Sequence, residues 1–573
     1  MKQIRRIAIL GGGPSGLFMF KSLVDANCIN FEIDIFEKKN QLGAGMPYSH
    51  EGANDEHVTN VSGNEIPELV TSISDWIKTV HRDTLNKYRI DREKFNDYKV
   101  LPRLLFGQYL EDQFSLLQQL AEQKGISFNI HYNCVVTNIT DNAQQETTTV
   151  EILGGQKFVY DTVIICTGHK WPLKHERTTP QYFDSPYPPE KLALKLNHAV
   201  AIRGASLTAV DAMRTLARHN GTYSKNEEGK LTYQLNNDSK GFKMILHSRN
   251  GLLPAVRFHL EDTHLQNKSL LTKEEIDAHI KANGGFLSLD FIFEQDFKAI
   301  LRDKQPEFYA RIKDMGMEEF VDLMMTERED ADPFELMKAE YAEAERSIKE
   351  RKSVYWKEML GALSFAMNYP AKHFSAEDMQ RLKKSLLPLI SIVIAYIPQS
   401  SCEEIFALHD AGLLEMVMVG EDSHVEPVEK GGAMYHYKNE AGVDQAKHFE
   451  TYVDCIGQPH LNYEDFPYKG LVENHTISAA KLQFKDAAIG LSEMEKDSDK
   501  VITNGNGDYY LKVPGITIND SFQPVDNYGA LNERLYIMAV PYIGGYNPDY
   551  SGLDFCEAAS EAIINSMLTT EIA

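Results

Sequence analysis

Residues 7–37 contain the feature that most narrows the fold. IAIL (7–10) is an apolar β run, GGGPSG (11–16) holds Gly11-x-Gly13-x-x-Gly16, LFMFKSLVDA continues as a helix, and FEIDIF (31–36) is a second strand ending at Glu37. Strand, glycine turn, helix and strand in this order make the βαβ unit that binds dinucleotides. Gly11 makes the tight turn, Gly13 lets backbone approach a pyrophosphate, and Gly16 lets helix and strand pack closely. The helix N-terminus, opened by Pro14 and Ser15, offers unpaired N–H groups and partial positive charge to phosphates. Glu37, 21 residues after Gly16, stands where a carboxylate accepts ribose hydroxyls. A glycine-rich loop without a ligand is the alternative, and the framing strands and terminal acid argue against it.

AVAIRGASLTAVDAM (199–213) reads as a second fingerprint with a glycine replaced. Gly204 ends a strand-like run, Ser206 and Ala209 follow at the motif's later positions, and Leu207 and Thr208 open a helix predicted over 208–219. An exposed hairpin around Glu228-Gly229 and a strand KMILHSR (243–249) complete the unit. The acid expected at that strand's end is absent, and His247, Ser248, Arg249 and Asn250 stand there. Serine and arginine suit a 2′-phosphate, so a nicotinamide nucleotide bound here would be NADPH rather than NADH. Ser206 fills space where backbone should meet pyrophosphate. The segment is therefore an NADPH site, which a glycine at 206 should tighten, or a nucleotide-free strand–helix unit.

The text around the first fingerprint favours FAD over NAD. KKNQLGAGMPYS (38–49) is a glycine-bearing loop after Glu37, FVYDTVIICTGH (158–169) is a β run ending in Cys166-Thr167-Gly168, and ERLYIMAVPYIGG (533–545) is a late strand followed by a helix. Two-dinucleotide flavoproteins complete the FAD domain with such a distant strand.

These residues carry a family resemblance. GGGPSGL (11–17), GAGMPYS (43–49), HVTNV (57–61), LPRLLFGQYL (101–110), TGHKWP (167–172), GASLTAVDAM (204–213), SRNGLLP (248–254) and IGGYNPDYSGL (543–553) resemble the bacterial FAD/NAD(P)-binding oxidoreductase family. That family is distantly related to class B flavoprotein monooxygenases. The resemblance implies FAD held by Gly11, Gly13, Pro14, Ser15, Gly16, Glu37 and Lys38, with Gly45, Met46, Val136, Thr167, Gly168, Gly544, Gly552 and Leu553 around it. It also implies a contact from Arg103, whose guanidinium fork suits a pyrophosphate. NADPH is implied at Gly204, Ser206, Leu207, Thr208, Ser248 and Arg249. Tyr48, His57 and Asn60 are candidates near the flavin, with a structural hydrogen-bonding role preferred for His57.

The fold class expected is α/β, a two-dinucleotide-binding-domain flavoprotein with two Rossmann-like three-layer domains and a helical insertion. Residues 1–195 plus 450–573 form the FAD domain, 196–255 plus 400–449 the NAD(P) domain, and 256–399 a helical cap with N-terminal caps at Thr272 and Ser375. No internal repeat is visible. A net charge of −24 argues against nucleic acid or an anionic membrane as partner, leaving a small-molecule substrate and an open oligomeric state. LLPLISIVIAYI (386–397) is too short to span a bilayer, and MKQIRRIAILGGG reads as a first strand rather than a signal peptide, so a cytoplasmic protein is expected. Six scattered cysteines form no C-x-x-C pair, which predicts no redox disulfide and no metal centre. The activity expected is an NADPH-dependent flavin monooxygenase. A reductase or dehydrogenase with another acceptor and a non-catalytic flavin-binding interaction protein are the alternatives.

Overall fold

The computed structural model describes residues 4–169, 171–261, 270–504, 506–546 and 552–570. Lys170 of the TGHKWP motif and residues 547–551 of the C-terminal motif lie outside the described residues.

Five parallel strands form the first sheet, in the order Leu535–Ile537, Thr162–Ile165, Arg5–Leu10, Phe31–Phe36, Ser127–His131. Ile7, Ala8 and Ile9 are fully buried because both faces of the sheet are covered. On one face the helix Pro14–Asp25 lies between Arg103–Lys124 and Gly552–Thr570. Phe20 stacks on Phe114 at 5.5 Å, and the Ser22 and Ser560 hydroxyls meet at 2.8 Å. On the other face lies an antiparallel sheet of Val136–Asn142, Thr147–Ile152 and Lys157–Tyr160. The apolar run 158–165 is thus two strands rather than the single one expected. Asp161 breaks it by taking the Arg6 N–H on its carboxylate (2.6 Å) while its own N–H bonds Arg6 O.

The second sheet is also parallel, in the order Tyr182–Phe183, Thr451–Asp454, Ala199–Arg203, Lys243–Ser248, Leu414–Met418. Helices Leu207–Asn220 and Gln399–Asp410 lie over one face, tied by Arg214 and Arg218 to Glu404. An antiparallel sheet of His424–Pro427, Ala433–Lys438 and Asp444–Phe449 covers the other. The hairpin Gly221–Lys225 with Leu231–Leu235 stands where it was expected.

The two units repeat each other, which the sequence did not reveal. Each has five parallel strands in matching spatial order and a three-stranded antiparallel cover inserted before the fourth strand. Only the edge strand differs in chain position, late in the first sheet and early in the second. Tyr182–Phe183 and Thr451–Asp454, assigned from sequence to the first domain, pair in the second sheet, and Tyr182 sits 4.6 Å from Tyr452.

Between the second and third strands of the second unit the chain makes a helical excursion. Thr272 caps its first helix in a reciprocal box with Glu275, and the Ser375 hydroxyl accepts the Asp378 N–H. Its core from Leu287 to Val393 merges with that of the first unit, whereas Phe334, Met337 and Ala344 join the second. Within the apolar run at 386–397, Leu386, Leu389 and Val393 are fully covered while Ser391 is exposed. Among the described residues no helix is long and apolar enough to cross a membrane.

Candidate functional site

The first glycine turn has the close approaches its motif requires. Gly11 adopts φ +108°, and a Cβ there would sit 2.8 Å from Cys166 O. A Cβ on Gly16 would fall 2.0 Å from Gly11 O, so the helix could not come this near with any side chain. Gly13 has an ordinary φ of −77°, and a Cβ there would come within 3.2 Å of Gly45 Cα, a tight approach that glycine avoids. Glu37 is buried at the strand end, its Oε2 accepting the Gly12 N–H at 2.7 Å and its Oε1 the Lys39 N–H at 3.0 Å. Each carboxylate oxygen keeps a lone pair for a ribose hydroxyl.

This turn opens onto a cavity of about 840 Å³. Gly11, Gly13, Pro14, Ser15, Glu37 and Lys38 line one stretch of it. Gly45, Met46 and Tyr48 face it from the following loop, and Val136, Thr167 and Gly168 from the strand ends. Gly552 and Leu553 belong to the first turn of the helix Gly552–Thr570, which brings its N-terminal dipole to the wall. Asn60 lines it too, while its backbone oxygen accepts a bond from Arg257. Backbone donors, a helix terminus and a fixed ribose acceptor make a donor set that fits FAD.

Sequence reasoning missed a second wall. Gly361, Phe365, Asn368, Ile394 and Tyr396 from the helical excursion line the same cavity, with Tyr468 and Tyr542. They lie far from any motif, so only the tertiary fold brings them there. Burial pushes the Tyr48 hydroxyl up to about 12, against the pull of Arg103, so it stays a proton donor at neutral pH. Burial also pushes the Cys166 thiol up and the Cys556 thiol to about 12. Neither is a thiolate nucleophile at neutral pH.

Four expected residues stand elsewhere. Gly16 is one layer in, against Gly11. Gly544 makes room for His460, whose Nδ1 would be 2.0 Å from a Cβ there. Arg103 turns away from the cavity to Asp211 of the second unit, Nη1 to Oδ2 at 2.5 Å, and donates to Val58 O at 3.1 Å. A buried arginine is held by the nearest carboxylate, and here Asp211 supplies it. Tyr187 adds a bond to the same oxygen at 2.6 Å. His57, fully buried, accepts the Asn54 N–H on Nδ1 at 3.1 Å and points Nε2 at Asp211 O and Thr215 Oγ1. Burial lowers its pKa, which keeps the ring neutral. Burial raises the Asp211 carboxyl, but the Arg103 guanidinium and the Tyr187 hydroxyl outweigh it and hold the group below the ordinary value. Arg103 and His57 therefore join the two units instead of facing the cavity.

The second turn copies the first in backbone. Gly204 adopts φ +100°, and a Cβ there would lie 2.8 Å from Cys455 O. Its N–H bonds His247 O at 2.8 Å, as that of Gly11 bonds Phe36 O. Ser248 is therefore the counterpart of Glu37, and Arg249 of Lys38. Ser206 (φ −87°, ψ −167°) matches Gly13 (φ −77°, ψ −162°), and it is exposed. Leu207 and Thr208 are half-buried in the first turn of the helix, Ser248 is buried, and Arg249 is exposed. The register of Arg203 with His247 brings Gly204 and Ser248 to one edge of the sheet.

Comparison with known proteins gives related results. The uncharacterized protein YdhS of Escherichia coli strain K12 is 28% identical over 568 residues, which cover 99% of this chain and 98% of that protein. Ornithine hydroxylase from Pseudomonas aeruginosa is similar at a TM-score of 0.48 and 11% identity, over 99% of both chains. The FAD-bound cadaverine monooxygenase of Erwinia amylovora is similar at 0.45 and 11%, over 99% of this chain and 95% of that one. Family models match at residues 8–170 (FAD-NAD(P)-binding) and 272–394 (YdhS-like middle domain). Residues 8–170 are thus similar to FAD-NAD(P)-binding domains and residues 272–394 to YdhS-like middle domains.

Proposed function

We propose that this protein is an FAD-dependent oxidoreductase, reduced by NADPH held at the second turn, and that it acts as a monooxygenase on a small organic molecule. The observation that carries this reading is the shared wall of one cavity. Gly13 and Glu37 of the first turn and strand end, and Phe365 and Tyr396 of the helical excursion, line the same 840 Å³ space. An aromatic wall beside a bound flavin would help to exclude water, which oxygen transfer requires.

Bound FAD would supply hydride acceptance and the activation of oxygen. The protein's tasks are positional. Glu37, fixed by the Gly12 N–H, would take the ribose hydroxyls, and the turn at Gly13 and Ser15 would hold the pyrophosphate. The helix Gly552–Thr570 favours negative charge at the cavity wall, and Tyr48 offers a proton donor there. At the second turn, Ser248 and Arg249 suit a 2′-phosphate, where a carboxylate would repel it.

Anaerobic mixing of the purified flavoprotein with NADPH, then with NADH, tests the reading, followed by admission of oxygen with candidate substrates. Faster bleaching by NADPH and an oxygenated product are expected. Equal rates with both nucleotides would remove the role of Arg249. Reduction without oxygenated product across substrates would favour a reductase, and no reduction by either nucleotide a non-catalytic flavin protein.

A further inference from the structure

The antiparallel sheet covering the second unit brings together three side chains that the sequence keeps apart. His424 pairs directly with His436 across the strands, and Glu426, two residues after His424, points to the same side. The imidazoles stack with ring centres 4.6 Å apart and planes 7° from parallel. Glu426 reaches both rings, Oε1 at 3.8 Å from His424 Nε2 and Oε2 at 3.5 Å from His436 Nε2. One donor atom from each residue falls within 4.8 Å of the other two.

His436 Nε2 is enclosed and makes no hydrogen bond. A buried polar nitrogen without a partner is uncommon, because losing water without replacement costs about 1–3 kcal/mol. Both histidines line a hollow of about 560 Å³ whose rim carries Glu421, Asp422, Glu440 and Asp444 against Lys438. Such a rim draws cations.

We propose that His424, Glu426 and His436 form a binding site for a divalent cation of the zinc class. Zinc bonds to imidazole and carboxylate at about 2.0–2.2 Å, which sets tetrahedral ligands about 3.4 Å apart. The separations from Glu426 are already near that value. Two imidazoles disfavour calcium and magnesium, which take oxygen ligands, and one carboxylate with two nitrogens suits zinc with a fourth position open to water. The ion would staple the short strand His424–Pro427 to its neighbour, whose Tyr435 stacks on His247 beside the second turn. This site is independent of the flavin reading. Sequence inspection for cysteine pairs had no means of finding it, because strand pairing creates it.

The test uses the full-length flavin-loaded protein, free of affinity tags, stripped with a chelator and titrated with zinc chloride by calorimetry. A single tight equivalent is expected, weakened at least about ten-fold in both His436→Gln and Glu426→Gln. The circular dichroism spectrum and melting temperature of each metal-free variant should match those of the parent protein, which certifies its fold. No saturable binding by the parent protein overturns the proposal. Binding that survives unchanged in both variants does so equally.

Discussion

The turns at Gly11–Gly16 and Gly204–Ala209 share backbone conformation at their first and middle positions and differ in freedom. Both first glycines need positive φ and lie under a cysteine carbonyl, Cys166 in one and Cys455 in the other. At the middle position the conformations agree within about ten degrees in φ, yet one residue is glycine and the other serine. The difference lies in the neighbours. Gly45 presses on Gly13, whereas Ser206 faces solvent. A motif glycine can thus be demanded by what packs on it, and a missing one reports a missing neighbour before it reports a lost ligand.

The sharpest way to break the parallel is at the third position. Gly16→Ala would place a methyl 2.0 Å from Gly11 O, a backbone atom that cannot step aside. Overpacking of this kind costs about 1–3 kcal/mol or more, and the protein should emerge colourless with a lowered melting temperature. Ala209→Gly, at the buried counterpart, should cost only about 1 kcal/mol in helix stability and leave the flavin spectrum intact. Equal losses in the two variants would show that the turns are not equivalent.

Next comes the residue after each second strand. Glu37→Ser removes a carboxylate fixed by the Gly12 and Lys39 N–H groups. Charged hydrogen bonds contribute about 1.5–3 kcal/mol each, so FAD affinity should fall on the order of 100-fold in equilibrium dialysis. Ser248→Glu should instead leave FAD bound and move nucleotide preference from NADPH towards NADH. An unchanged preference in steady-state kinetics would remove the second turn from cofactor binding.

The sequence was most legible where one residue type has one physical use. Positive-φ glycines, the terminal acid Glu37 and the caps at Thr272 and Ser375 all stand where local chemistry put them. Arg103 was misread because its charge is answered by Asp211, a partner that only tertiary structure supplies. The aromatic wall was invisible for the same reason: Phe365 and Tyr396 are ordinary aromatic residues until the helical excursion folds against the cavity. The structural repeat escaped because the helical excursion separates the second and third strands of one copy.

A smaller contrast concerns Phe36 and His247, which occupy matching sockets. Phe36 stacks on His131 at 4.4 Å and meets Phe158 edge-on, while His247 stacks on Tyr435 at 4.1 Å and meets Phe449 edge-on. Burial lowers the His247 pKa from 6.5 to about 4. Between those values the unfolded chain binds a proton that the folded protein refuses, so this residue's contribution is complete above pH 6.5 and declines as pH falls towards 4. At pH 5 the loss amounts to about 2 kcal/mol. His247→Phe, which copies the first unit, should flatten the fall in melting temperature between pH 7 and pH 5. A parallel fall in both proteins would place the acid sensitivity elsewhere, with the buried His57 the next group to replace.

The smallest effect is expected at Ser206. From sequence alone, glycine there should tighten NADPH binding by clearing space for the pyrophosphate. The folded chain reduces that expectation. Ser206 already holds the backbone of Gly13, its side chain is exposed, and it caps no helical N–H. A hydroxyl at a helix N-terminus can itself donate to a phosphate oxygen, which offsets the room it takes. Ser206→Gly should therefore change the NADPH dissociation constant by less than about three-fold, under 1 kcal/mol. Gly13→Ser, the reverse exchange, should weaken FAD binding more than Ser206→Gly alters NADPH binding, because its Cβ comes within 3.2 Å of Gly45 Cα beside the cavity. A large gain in NADPH affinity from Ser206→Gly would mean that the phosphate approaches as closely in the second turn as in the first, and that serine there restrains nucleotide binding.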